Sequence, residues 1–188
     1  MRRQDFRIRR LVRPAQATTL FVVDASGSAA LARLNEAKGA VELVLADSYV
    51  RRDEVALIAF RGHEAEVLLP PTRSLARARR ALADLPGGGG TPLAAAIEAA
   101  TRLGQAIAAR GRTVSILFLT DGRANIARTE AADPVTDALA AARQLQASGL
   151  RTLFVDTSRR TRPDAEALAA AMGARLLPLP RVEADALA

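Results

Sequence analysis

Asp24, Ser26 and Ser28 occupy alternate positions directly after an apolar run, in the stretch LFVVDASGSAAL that spans Leu20 to Leu31. Further along, the segment PGGGGTP closes its glycines with Thr91, and LFLTDG sets Asp121 behind another apolar run. Together these side chains offer two carboxylates and three hydroxyls. All are hard oxygen donors, the set that suits Mg²⁺, Ca²⁺ or Mn²⁺ rather than zinc. Mg²⁺ takes six oxygens in a near-octahedral array at about 2.1 Å and keeps several waters. A D-x-S-x-S loop can present three oxygens toward one point, and the small Ala25 and Gly27 let it close tightly. Plainer readings exist for the same residues: Asp24 or Ser28 as a helix N-cap, and TDG as an ordinary turn. The three pieces in this order, each at a strand or helix boundary, favour a metal cradle.

Other chemistries find less support. A phosphoryl-accepting aspartate of the haloacid-dehalogenase type needs a second Asp two residues on, where this chain has Ser26. A serine hydrolase needs G-x-S-x-G at a strand-to-helix elbow, and Ser26 follows Asp24-Ala25 instead. The single histidine, His63, falls on an expected hairpin turn. GGGGTPL carries no lysine for a phosphate, so it is not a Walker A loop. Independent catalysis is not expected. Near the acid of the third piece, Asn125 is a candidate amide behind the ligands, or a turn former. Arg123 and Arg128 are candidates to attract a partner carboxylate, or are solvated.

Short apolar runs must position these residues. Leu20 to Val23, Val55 to Phe60, Val114 to Leu119 and Leu150 to Val155 read as buried strands of a parallel sheet covered on both faces. Helical patterns lie between them at Ala30 to Tyr49, Ser74 to Leu85, Pro92 to Arg110, Pro134 to Ser148 and Pro163 to Met172. Pro92, Pro134 and Pro163 sit where a first-turn proline is tolerated, and Gly149 and Gly173 where helices end. Glu64 to Leu69 reads as an antiparallel edge strand, Arg175 to Leu179 as the last strand, and Phe6 to Val12 as a half-exposed strand. The fold class expected is α/β, a doubly wound, mostly parallel sheet flanked by helices with one antiparallel edge strand. Residues 1–13 form a basic segment, expected as an added strand, and 14–188 form one domain. In such a sheet, ligands bind outside the carboxyl ends of the strands, where Asp24 and Asp121 stand.

Composition sets the bounds. The 188 residues are 49% hydrophobic, enough for a packed core in one domain. No run approaches the ~18 apolar residues of a membrane span, and MRRQDFRIRR lacks the apolar region of a secretory signal. With no cysteine, disulfides and thiolate sites are excluded, which fits a cytoplasmic protein. The formal net charge is +7 and Lys38 is the only lysine. Aromatic residues make up only 3%, so platforms for stacking nucleic-acid bases are scarce. The arginines are scattered, so an acidic protein partner is favoured over nucleic acid.

The motifs DASGS, GGGTPL and LTDG resemble the metal-ion-dependent adhesion site of von Willebrand factor A (integrin I) domains. Asp24, Ser26 and Ser28 correspond to its first loop, Thr91 to the second and Asp121 to the third. Longer segments, RLNEAKGAVELVLADSYVRRDEVALIAFRG, AEVLLPPTRSLARARRAL and LFLTDGRANI, resemble the C-terminal domain of the magnesium chelatase D subunit family in its bacteriochlorophyll-synthesising form. The resemblance covers roughly Asp5 to Pro180. It implies a metal-dependent interaction domain within an ATP-dependent complex that inserts Mg²⁺ into protoporphyrin IX. In that complex the D subunit bridges an AAA+ I subunit and a porphyrin-binding H subunit. The family's AAA+-like module and acidic linker have no counterpart here, so the chain is expected to be the isolated C-terminal domain. It would bind Mg²⁺, or Mn²⁺, and no ATP. A partner Asp or Glu would complete the site, and the acidic linker would dock on the basic N-terminal segment. The corresponding subunit of a cobalt chelatase, or a generic adhesion module of the same fold, is the alternative.

Overall fold

A computed structural model describes residues 16–27, 46, 48, 50–85, 87–158 and 160–178. The strand expected at Phe6 to Val12, the segment 1–13, most of the helix expected at Ala30 to Tyr49, and Ser28 lie outside the described residues. The strands are β1 (Ala17–Asp24), β2 (Glu54–Arg61), β3 (Glu64–Thr72), β4 (Thr113–Thr120), β5 (Arg151–Asp156) and β6 (Arg175–Pro178). They form one sheet in the order β3-β2-β1-β4-β5-β6. Every pairing is parallel except β2 with β3. This is the doubly wound order whose direction of winding reverses between β1 and β4.

Period-two alternation assigns each strand residue to a face. Leu20, Val22, Ile58, Phe60, Ile116 and Phe118 join one apolar cluster, while Phe21, Val23, Leu57, Leu117 and Leu119 join the other. The first cluster is covered by α2 (Leu93–Ala108), α3 (Pro134–Ala147) and α4 (Pro163–Ala171), and the second by α1 (Leu75–Ala83). Buried positions on α2 and α3 are mostly alanine, with Leu93, Ile97 and Leu145 filling the gaps. Small side chains let these helices lie close to the sheet and to each other.

Element ends follow local chemistry. Ser74 caps α1 by accepting from the Arg77 N–H, and Asp133 caps α3 by accepting from the Thr136 N–H. Pro134 and Pro163 occupy the first turns of their helices. Pro92 differs from the expectation, standing at the cap position before α2 rather than inside it. The edge strand β3 runs three residues past the expected Leu69, through Pro70 and Pro71. Proline donates nothing to a ladder and is tolerated at an edge. At the opposite end of the sheet from the acids, Glu54 is paired with Arg112 and lies 4.0 Å from Arg73. No helix among the described residues is long and apolar enough to cross a membrane.

Candidate metal centre

β1, β2, β4 and β5 run parallel, so their carboxyl ends share one edge of the sheet. β1 ends at Asp24, β4 at Thr120 with Asp121 next, and β5 at Asp156. The two acids singled out from the sequence therefore stand on neighbouring strands at the winding reversal. Both are buried, Asp24 at 4% exposure and Asp121 at 6%. Such acids are expensive unless something compensates their charge.

Hydrogen bonds compensate in part. The Ser26 N–H donates to Asp24 Oδ1 at 2.9 Å, and the Thr120 hydroxyl donates to Asp24 Oδ2 at 3.0 Å. Thr120 Oγ1 in turn accepts from the Gly122 N–H at 3.2 Å. Burial pushes the Asp24 carboxyl above the ordinary carboxylate range, and the nearby Asp121 charge adds to that. The Ser26 and Thr120 hydrogen bonds pull it back down without cancelling the effect. Asp121 accepts from the Arg123 N–H at 3.1 Å, and the exposed Arg123 side chain lies 3.6 Å from its other oxygen. Thr120 was not singled out from the sequence. Its signal was available, since a hydroxyl at a strand end beside Asp24 can bridge to the neighbouring acid.

The second loop comes in from between α1 and α2. Thr91 is 5% exposed, and its glycines explain how it gets there. Gly88 and Gly89 hold φ of 109° and 93°, values that side-chain-bearing residues rarely adopt. The Gly88 N–H donates to the Ala25 carbonyl of the first loop at 3.0 Å. A Cβ on Gly90 would meet Ile126 Cγ1 at 2.4 Å and the Gly62 carbonyl oxygen at 2.9 Å. The loop is wedged between the β2–β3 turn and the segment after Asp121. Asn125 holds Thr91 from both sides: its Oδ1 accepts from the Thr91 N–H at 2.6 Å, and its own N–H donates to the Thr91 carbonyl at 3.3 Å.

Arg128 and Arg123 behave differently. Arg128 is engaged within the chain, donating through Nε and Nη2 to Asp137 of α3 and through Nη1 to Glu98 of α2. These bonds raise its pKa and hold Asp137 below the usual carboxylate range. Of the first loop, Ala25 is fully buried, so a larger side chain would have to displace the core. A Cβ on Gly27 would meet nothing within 4 Å among the described residues, so packing against them does not call for glycine there. Asp156 was also missed from the sequence. It is 1% exposed, pairs in register with Thr120, and accepts from the Ser158 N–H at 2.8 Å. Its Oδ2 has no partner among the described residues. His63 is exposed on the β2–β3 turn.

The donor set suits a hard cation. Two buried carboxylates interact through space, no buried cation offsets them among the described residues, and the Ser26 and Thr91 hydroxyls stand in the adjoining loops. Among the described residues, no three His, Cys, Asp or Glu side chains gather to hold a metal. A cation at this edge would have two acids plus hydroxyls to draw on, an oxygen-only set of the Mg²⁺ type.

Residues 19–123 match the von Willebrand factor type A domain family. The chain is 50% identical over 190 residues to the magnesium-chelatase 60 kDa subunit of Cereibacter sphaeroides, covering 100% of this chain and 34% of that one. It is 40% identical over 196 residues to the magnesium-chelatase 67 kDa subunit of Chlorobaculum tepidum, covering 97% and 32%. A solved von Willebrand factor type A structure from Catenulispora acidiphila aligns with a TM-score of 0.60 at 18% identity, covering 89% of this chain and 39% of that one. The matched region is the C-terminal part of the chelatase subunits. The chain spans about a third of the length of those curated relatives.

Proposed function

The chain belongs to the von Willebrand factor type A family, and from that premise we propose that it is the metal-dependent interaction domain of a magnesium chelatase D-type subunit. Its work is to couple an AAA+ ATPase subunit to a porphyrin-binding subunit during ATP-dependent Mg²⁺ insertion. The observation that carries this reading is the pair of buried acids, Asp24 and Asp121, on neighbouring strands at the winding reversal. Asp24, Ser26, Thr91 and Asp121, with Ser28 from the first loop, would hold Mg²⁺ or Mn²⁺. The bound cation supplies a positive, oxygen-seeking position for an Asp or Glu of a partner subunit.

The chain's own residues do the rest. Asp24 and Asp121 are the only charged groups in this set, so a divalent ion among neutral hydroxyls would keep enough positive character, and an open coordination position, to take another carboxylate. Thr120 fixes the rotamer of Asp24, and the Ser26 N–H fixes its other oxygen. Arg123, exposed and beside Asp121, adds positive charge at the rim, where it speeds the approach of an acidic partner more than it tightens the final contact. The metal ion inserted into the porphyrin is cargo and is distinct from the ion held here.

The test is titration calorimetry of Mg²⁺ and Mn²⁺ against the parent, Asp24→Ala and Asp121→Ala. Co-precipitation with the chelatase I and H subunits follows, in Mg²⁺ and in EDTA. Saturable binding by the parent, lost in both variants together with metal-dependent co-precipitation, is the expected result. Co-precipitation indifferent to EDTA and to both substitutions would sink the coordination reading and leave an arginine-bearing surface as the interface.

A further inference from the structure

A segment with glycines at 88, 89 and 90 has little side-chain packing of its own to hold Thr91 in place. Its position must come from its neighbours. The Gly88 N–H donates to the Ala25 carbonyl and Gly89 and Gly90 pack against Gly62, while the contacts on Thr91 described above come from one segment, residues 121–128. Asn125 grips both backbone groups of Thr91, and Ile126 backs against Gly90. That segment also begins with Asp121.

Its far end is pinned as well. The Arg128 backbone N–H donates to Asp137 Oδ2 at 2.8 Å, Nε and Nη2 reach Asp137 Oδ1 at 3.0 and 2.5 Å, and Nη1 reaches Glu98 Oε2 at 3.0 Å. A planar guanidinium serving two carboxylates on two helices leaves little rotational freedom. The near end is pinned at Gly122, where a Cβ would meet the Ala165 Cα of α4 at 2.9 Å. Residues 121–128 are thus fastened to α4 at one end and to α2 and α3 at the other, with Thr91 held in the middle.

We infer that Asn125 is the positioning residue for Thr91 and that Arg128 is the anchor that keeps Asn125 in place. The second and third loops of the centre then act as one body tied to α2 and α3. This rests on the reading of Thr91 and Asp121 as ligands, and it adds a route by which occupancy at the sheet edge is felt at the α2–α3 face. Asn125 is suited to the task because it offers an acceptor without a charge. Aspartate offers the same acceptor and adds a negative charge, whereas alanine offers none.

The experiment measures two quantities on the whole chain. One is Mg²⁺ affinity by calorimetry. The other is backbone amide exchange at Thr91 in metal-free protein, read by NMR. Residues that orient metal ligands usually change affinity by about 10–100-fold when removed. Asn125→Ala should weaken Mg²⁺ by about that factor and speed Thr91 exchange, with the melting temperature little changed. Asn125→Asp should restore slow exchange and bring affinity back to within a few-fold of the parent. Arg128→Ala should speed exchange at Thr91 as well as at Arg128, and should weaken Mg²⁺ although it touches no ligand. Parent-like affinity and exchange in Asn125→Ala would overturn the inference, as would failure of Asn125→Asp to recover either. If the parent binds no Mg²⁺, the metal reading falls and the exchange comparison alone decides whether Asn125 holds Thr91.

Discussion

Gly90→Ala isolates the wedge that seats the second loop. The φ of Gly90 is one that alanine tolerates, so backbone strain is not the issue. The added methyl meets Ile126 Cγ1 at 2.4 Å, Ile126 Cδ1 at 2.9 Å and the Gly62 carbonyl oxygen at 2.9 Å. Comfortable carbon contacts lie at about 3.5–4.0 Å. Ile126 must therefore retreat by roughly 1 Å, and the Gly62 carbonyl by at least about 0.5 Å. A side chain can swing aside, but the carbonyl belongs to the tight β2–β3 turn and resists. Overpacking of this kind costs about 1–3 kcal/mol. In a domain of this length each kcal/mol lowers the melting temperature by about 2–4 °C, so a fall of roughly 5 °C is expected.

The same push acts on Asn125, the neighbour of Ile126, and so on the grip around Thr91. Mg²⁺ affinity should drop by about tenfold, the low end for a disturbed ligand support. The assay is thermal unfolding in EDTA and calorimetry with Mg²⁺, on Gly90→Ala, Ile126→Ala and the double variant. Ile126→Ala deletes two of the three clashing atoms, so it should recover part of the loss, leaving the Gly62 contribution. A double-mutant coupling near zero, or a Gly90→Ala protein that melts and binds like the parent, would refute the wedge.

Gly122→Ala combines a φ of 77° with a methyl 2.9 Å from the Ala165 Cα; strain and overpacking together should cost about 2–4 kcal/mol in urea unfolding. Phe118→Ala empties a fully buried site in β4 and should cost about 3–5 kcal/mol, with a curve that remains cooperative. Asp24→Asn removes a buried charge yet keeps an acceptor for the Ser26 N–H. It should be at least as stable as the parent in EDTA, and should lose the stabilisation of about 2.7 kcal/mol that a site gains at 100 times its Kd. Acid should weaken the α3 attachments: Asp137 is held low chiefly by its hydrogen bond from Arg128, and Asp133 by those from Thr136. Depressed folded-state values mean that this stability is present above the ordinary Asp value of about 3.9 and is lost as pH falls through the folded values. Urea midpoints at pH 7, 5 and 3 check this, and Arg128→Met should remove the Asp137 share.

The strands were legible because their runs are nearly continuous in apolar residues and, in β1, β4 and β5, end at acids or hydroxyls. Leu20 to Val23 and Val114 to Leu119 both lie inside observed strands, which extend past them through mostly polar residues because the backbone ladder continues regardless of side chain. Asp24 and Asp121 were legible for the same reason, as charges at the ends of buried strands. Asn125 on Thr91 was not, because a side chain bonding a backbone 34 residues away leaves no local pattern. For Arg128 the sequence leaves open a partner carboxylate or solvation, since nothing in ARTEAADPVTD announces that the chain folds back to set Asp137 beneath it. Asp156 was hidden in the same way. It directly follows the run Leu150 to Val155, with no D-x-S-x-S or T-D-G pattern around it, and its pairing with Thr120 places it at the edge that holds the other acids.

Two carboxylates buried side by side are a poor choice for stability alone. Burial raises the Asp24 carboxyl, Asp121 repels it, and Arg123, 3.6 Å from Asp121, sits exposed at the rim rather than between the two. Hydrogen bonds from Thr120 and Ser26 make Asp24 tolerable but also fix its direction. The second loop repeats the pattern, since glycines that weaken it let Thr91 approach, and Asn125 and Ile126 then hold it there. In both places a local cost is offset by contacts from a neighbouring loop, and those contacts orient oxygens. A chain selected only for a stable sheet edge would replace Asp24 with Asn or Ser. In the function proposed above, a divalent cation supplies the compensating charge, and a partner carboxylate reads whether that cation is present.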